Sequence, residues 1–257
     1  MLNYVKSEFY RIFRERSIWV LSAVFSALVI AACIVLFLTN KATPNFPYAN
    51  TRYLLSTIAS MMVIPFFMLS TIPQTVVGEE IREKTLKNSV SFGVSRSTIY
   101  FGKWFVNVVG LLIVGVITVS ISMMGSYLFL EDSGITFTTD FIMALIGMFP
   151  LLLAGLTTYH FLYFWSPNTN YVFLCYGGVY LLPFLIGYFL GGKFETIRWL
   201  FYHCVVYLMS NSYLKGRHVY MAGNTTNGMI TCYLVGIGLT VIFLIIGYVH
   251  FKRNEIK

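Results

Sequence analysis

Four histidines, four cysteines and ten carboxylates are the side chains of this 257-residue sequence that could do bond-making or metal chemistry. Their spacing supports little of it. Cys33, Cys175, Cys204 and Cys232 have no metal-ligand spacing, and three of them fall inside apolar runs. Cys204 alone could meet an oxidising exterior, and no partner for it is apparent. His203, His218, Asp132 and Glu195 stand outside the apolar runs but are scattered, without convergent catalytic spacing. There is no G-x-x-x-x-G-K-[ST] phosphate loop and no H-E-x-x-H pair, so nucleotide cradling in the P-loop manner is excluded and no metal site is expected. His160 lies well inside an apolar run. It reads as a neutral, hydrogen-bonded packing group or as a proton-carrying site.

Charge is instead concentrated in segment 78–103, which holds Glu79, Glu80, Arg82, Glu83, Lys84, Lys87, Arg96 and Lys103 between two long apolar runs. Such charges are expensive in hydrocarbon, so this segment must join two membrane helices in water. Glu79, Glu80 and Glu83 suit the positive N-terminal end of a helix, and Lys84 and Lys87 its far end. Gly93 is a natural stop, and Ser95 is a candidate cap for the helix that follows.

The elements around this segment are set by apolar length. Hydrophobic residues make up 57% of the chain and charged residues 11%, against roughly a quarter charged in soluble domains. Six runs reach spanning length, at about 17–39, 53–77, 104–128, 141–165, 171–190 and 228–249. About 20 helical residues cover the ~30 Å hydrocarbon core. The expected fold is therefore all-α, one integral membrane domain over 1–257 with six transmembrane helices.

Orientation follows from the basic residues. With the N-terminus inside, the inner side holds Lys6, Arg11, Arg14, Arg16, Arg82, Lys84, Lys87, Arg96, Lys103, Lys252, Arg253 and Lys257. The outer side holds Lys41, Arg52, Lys193, Arg198, Lys215 and Arg217. This bias predicts both termini in the cytoplasm of a multi-pass cell-membrane protein. Trp19, Trp104 and Trp165 fall at inner ends, as interfacial anchors do. The net charge of +8 is mostly this bias, and no continuous basic face suggests nucleic acid.

Three further segments carry a pattern. In 1–16, Leu2, Val5, Phe9, Ile12 and Phe13 recur at helical spacing, with Lys6, Arg11, Arg14 and Arg16 opposite. Such a helix lies at the membrane surface, its stripe in the acyl boundary and its bases near anionic lipid. Ile30-Ala31-Ala32-Cys33 imitates a lipoprotein cleavage box, but the apolar run continues beyond it, so an uncleaved span is expected. In the second run Ser56, Ser60, Ser70 and Gln74 share one face at 100° per residue, for helix packing or for a substrate path. Pro65 and Pro73 should bend that helix. In 191–227, the stretch 199–209 is apolar but too short to cross, and reads as one interfacial or re-entrant helix with Phe201, Val205 and Leu208 near one face. Gly187 and Gly191 form a GxxxG, a weak packing signal.

The connector resembles the cytosolic coupling segment of ABC-2-type transporter permeases. These commonly carry a Glu-rich, Gly-Thr-Leu-containing helix after span two, then a segment of the type (L)S-x-(G/P)-(V)-S-R-x-x-(I/V)-x-x-x-K. Here Glu80, Glu83, Thr85, Leu86, Ser91, Gly93, Val94, Ser95, Arg96, Ile99 and Lys103 follow in matching order. Lys84 stands where the family often has Gly, so that turn is expected to stay helical. The motif covers about a tenth of the chain; the six-span layout and surface N-terminal helix extend the likeness over its length.

The resemblance implies a transport subunit without an ATPase site of its own. Glu79, Glu80, Glu83, Thr85, Leu86, Gly93, Ser95 and Arg96 would couple to a separate ABC ATPase, present in two copies, which binds ATP and Mg. Val5, Phe9, Arg11 and Phe13 would belong to an elbow helix helping to form the docking surface. Segment 191–227 would narrow an outer exit through Phe201, Val205 and Leu208. A second permease chain, the same or homologous, and membrane lipids complete the implied partners. Small permeases without a soluble domain resemble exporters of peptide antibiotics and bacteriocins, which makes amphiphilic peptide or lipid-like cargo the expected substrate. An ion-coupled carrier using His160 and an intramembrane enzyme are the alternatives.

Overall fold

The structure, a computed structural model, describes residues 2–43, 46–215 and 218–253. Arg217 and Lys257, counted in the charge bias, lie outside these, as do the side chains of Leu2 and Lys215. In chain order come α1 (Leu2–Arg14), α2 (Arg16–Ala42), α3 (Thr51–Ser60), α4 (Val63–Met68), α5 (Thr71–Pro73), a π-helical turn (Gln74–Gly78), α6 (Glu79–Arg82), α7 (Leu86–Ser91), α8 (Arg96–Phe129), α9 (Ile135–Trp165), α10 (Thr169–Leu190), α11 (Glu195–His203) and α12 (Val205–Ser210). A two-stranded antiparallel hairpin, β1 (Ser212–Lys215) and β2 (His218–Met221), precedes a 3-10 turn (Ala222–Asn224) and α13 (Thr226–Arg253).

Five of the described helices, α2, α8, α9, α10 and α13, are long and apolar enough to cross a membrane, and a bent pair brings the number to six if it counts as one span. The fold is all-α, and these helices fit a multi-pass membrane protein. α9 is the central helix. Most of its apolar stretch is buried, whereas the other four leave about two-thirds or more of theirs exposed. Leu28, Val116, Leu174 and Leu234 are among the large side chains on that exposed surface, an apolar area only lipid or partner helices could cover. Along α9, close approach needs small residues. A Cβ at Gly236 of α13 would fall 2.5 Å from the backbone of Pro150.

The second apolar run is bent by 42° between residues 51–60 and 63–82, and the prolines explain how. Pro65 cannot donate to the Met61 carbonyl, which accepts from Ile64 N at 2.9 Å. Pro73 cannot donate to Leu69, whose carbonyl accepts from Ile72 N at 3.2 Å. Each missing donor tightens the turn four residues upstream, at Met61–Met62 and at Leu69–Ser70. Tyrosines from neighbouring helices brace the segment between. Tyr159 and Tyr176 stack at 3.6 Å and donate to the carbonyls of Phe67 (2.9 Å) and Phe66 (3.1 Å). Water cannot serve those carbonyls at membrane depth, so hydroxyls on adjacent helices do.

Two sequence expectations fail here. Segment 199–209 is not one helix: the backbone turns extended at Cys204 (ψ 146°), dividing α11 from α12. The hairpin that follows was not expected at all. It is held on α9 by Asp140, whose carboxylate accepts from Val219 N at 3.2 Å and lies 3.3 Å from His218 Nδ1.

Candidate functional site

The charged connector and α1 form one junction with the start of α8. The bent second apolar run does not stop before its carboxylates. The π-helical turn runs directly into α6, with Gly78 itself in helical conformation. Glu79, Glu80 and Glu83 therefore lie at the C-terminal end of a helix, where the backbone dipole is unfavourable to them, and not at the helix start that their sequence suggests. Side-chain partners stabilise Glu80 instead. Arg11 of α1 pairs with it, and Lys103 Nζ of α8 lies 2.9 Å from its Oε1. Glu8 of α1 closes the ring, 3.1 Å from Lys103 and 2.9 Å from Arg11. Both cations also donate to the Val76 carbonyl, Lys103 at 2.8 Å and Arg11 at 2.9 Å. That carbonyl sits in the π-helical turn, a geometry that loosens the regular ladder.

Burial gives this cluster its weight. Lys103 is 0% exposed and Glu8 and Glu80 are 7% and 14% exposed at the side chain, while Arg11 is 38% exposed. Two cations face two carboxylates, so the group is neutral as a whole. A buried ion is tolerable only when paired and hydrogen-bonded, and Lys103 has two carboxylates and a carbonyl. Tyr4 lies beside Glu8, and burial together with that carboxylate raises its phenol above the ordinary value.

Part of the apolar stripe of α1 packs on α8. A Cβ at Gly102 of α8 would come 3.3 Å from Val5, Phe9 meets the Phe105 ring edge-on at 5.8 Å, and Ile12 is buried. Only Phe13, with Tyr10, remains half exposed. Arg11 turns towards Glu80, not outwards.

Beyond the cluster the connector forms a tip. Glu83, Lys84 and Thr85 make the turn into α7, and Lys84 has a φ of 59°, so the turn does not stay helical: Lys84 adopts the left-handed conformation a Gly would take there. Leu86 is buried and anchors α7 from beneath. Gly93 (φ 81°) ends α7, and Ser95 caps α8, its Oγ accepting from Thr98 N at 3.2 Å. Arg96 donates to the carbonyls of Phe251 (3.2 Å) and Lys252 (2.8 Å), capping the end of α13. Glu83, Lys87, Asn88 and Phe92 are exposed on this tip together with Arg82, Lys84, Thr85 and Ser91, Phe92 being 87% exposed. A polar cleft of about 450 Å³ between α1 and the connector adds Glu15 and Glu79.

Other expected residues separate. Because the second apolar run is bent and re-wound, the constant 100° step does not run from Ser56 to Gln74. Ser56 and Ser60 line a polar pocket at the hairpin end, whereas Gln74 accepts from Tyr163 OH at 3.4 Å near the charged end. Ser70 lies between, half buried. Phe201 packs on Gly187 and on the Phe184 ring (5.4 Å), so the GxxxG of α10 receives α11. Val205 and Leu208 are buried on α12, and burial pushes the Cys204 thiol up. Trp104 is half buried, and its Nε1 donates to Thr157 Oγ1 on α9 at 2.9 Å. Trp19 and Trp165 are exposed. His160 is fully buried between Tyr100 and Phe164, with Asn107 Nδ2 2.9 Å from its Nδ1. His203 stacks on Trp199, Asp132 accepts from Gly134 N and Glu195 lies 3.7 Å from Arg198. Among the described residues no three His, Cys, Asp or Glu side chains are grouped to hold a metal.

Sequence reasoning missed Glu8 and placed Lys103 in the charged connector, the basic bias and the motif, without a partner in α1. The available signal was a single acid on the basic side of α1, three residues before Arg11. The chain matches no protein-family model and no curated protein.

Proposed function

We propose that this chain is the membrane-embedded permease subunit of an ABC-2-type exporter, driven by a separate ATPase. The observation that carries the reading is the junction of Glu8, Arg11, Glu80 and Lys103, which ties the amphipathic α1, the connector and the start of α8 into one body. A force on the exposed tip is transmitted through that body to the second and third spans. The second span is already bent, and its π-helical turn lies directly above the junction. In this reading α1 is the elbow helix, 78–103 the coupling segment on the cytoplasmic side, and α11 and α12 an outer gate of two short helices. Two such chains and two ATPase chains make the transporter, and amphiphilic peptide or lipid-like molecules are its cargo.

In this reading the residues that meet the ATPase are those left exposed on the tip. Leu86 and Arg96 are engaged inside the chain and hold the connector in shape, and Glu80 is held in the junction. Phe92, Glu83 and Lys87 present the contact surface, with the acidic cleft beside them open to a basic side chain. The test is purification of the tagged chain from its native membrane in mild detergent, with ATP hydrolysis and mass spectrometry as readouts. Wild type carries an ATP-hydrolysing chain, and Phe92→Asp combined with Glu83→Lys loses most of it while inserting normally. A wild-type chain that brings no ATPase sinks the reading.

A further inference from the structure

A pocket at the hairpin end, of about 470 Å³, is lined by Arg52, Tyr48, Tyr53, Ser56, Thr57 and Ser60 among others. That is within the usual range for small-ligand sites. Among the described residues Arg52 is the one charged residue lining it, and it makes no ion pair with any of them. Its guanidinium lies over the Phe137 ring, 5.5 Å from the centroid.

The backbone around Arg52 is fixed. Thr51 N donates to the Glu131 carbonyl (2.9 Å), Arg52 N to Ser133 Oγ (3.4 Å) and Tyr53 N to Asn50 Oδ1 (2.9 Å). The first amides of α3 are thus already satisfied, and any ligand must be read by side chains. Of these, Ser56 and Thr57 donate to the Tyr53 carbonyl (3.1 and 2.7 Å) and Ser60 to the Thr57 carbonyl (3.0 Å). Their protons are committed to the helix, so towards a ligand these three oxygens are acceptors. The Tyr48 and Tyr53 rings, 4.9 Å apart and both partly exposed, add an aromatic wall.

One fork-shaped cation and three hydroxyl acceptors on the lining of the same pocket suit a ligand that carries both an oxyanion and hydroxyl donors. We infer that this pocket binds a phosphoglycerol group, its phosphate on Arg52 and its hydroxyls on Ser56, Thr57 and Ser60. The group is supplied by a phosphatidylglycerol head group or by soluble glycerol phosphate. This binding does not depend on the transport reading.

The test is native mass spectrometry of the purified chain titrated separately with phosphatidylglycerol, phosphatidylcholine and glycerol 3-phosphate. Wild type retains one phosphoglycerol ligand in preference to phosphatidylcholine. Arg52→Gln weakens that binding about tenfold or more, as loss of a charged hydrogen-bond donor does. Arg52→Lys weakens it less, and Arg198→Gln, at an exposed position on α11, leaves it unchanged. Retention of the lipid alone identifies the membrane as source, and retention of glycerol 3-phosphate identifies the external solution. Equal binding by Arg52→Gln, or no preference over phosphatidylcholine, overturns the inference.

Discussion

The two ends of the bundle are joined by opposite means. At the connector end, four charged side chains from α1, α6 and α8 are brought together, Glu8 and Lys103 being 95 residues apart, and Lys103 is wholly buried. At the hairpin end, one carboxylate, Asp140, holds β2 through Val219 N and a half-exposed His218. A buried, mutually paired cluster is costly to open, because each ion freed loses its compensation in a low-dielectric site. Asp140 is 18% and His218 50% exposed at the side chain, so water can replace part of these polar contacts when they open. The first end is therefore expected to cost more to open than the second.

The sharpest way to break this comparison is Lys103→Met, which leaves Glu8 and Glu80 facing each other with only Arg11. A loss of about 3–5 kcal/mol is expected, read as unfolding midpoint in detergent, and Glu8→Gln in the same chain should restore part of it. Asp140→Ala is expected to cost less, about 1–3 kcal/mol for the unpaired Val219 amide. Its damage should appear as faster amide exchange confined to 212–224. If Asp140→Ala proves the more destabilising of the two, the contrast between the ends is wrong.

The smallest expected effect lies at Lys84. Its left-handed backbone costs an L-residue roughly 1–2 kcal/mol, so Lys84→Gly should raise stability by up to about 1 kcal/mol after the extra chain entropy of glycine is subtracted. Denaturant midpoints of the two chains decide it. A loss of stability would mean that the Lys84 side chain contributes more than its backbone costs.

What could be read from the sequence depended on the range of the physics involved. Apolar length is local, so the runs at 17–39, 104–128, 141–165, 171–190 and 228–249 emerged within helices α2, α8, α9, α10 and α13; three are extended by a few residues, while α8 starts eight residues earlier and α9 six. Caps and breakers are local too, and Gly93, Ser95, Pro65 and Pro73 act as their chemistry requires. The junction was hidden because it is made by residues far apart. Periodicity located Val5 and Phe9 on one face of α1 but could not say that α8 would pack on them. Nor does any Gly or Pro mark the extended backbone at Cys204. The strands SYLK and HVYM are four residues each, too short for alternation to stand out.

The central claim is that α1 and the connector move as one body because of the buried charges. After replacement of the native cysteines, spin labels at Lys6→Cys on α1 and Lys87→Cys on α7, both exposed positions, report it by double electron–electron resonance in lipid nanodiscs. The account predicts one narrow distance distribution in the parent chain and a broad one when Lys103→Met is added. Distributions of equal width in both chains would contradict it.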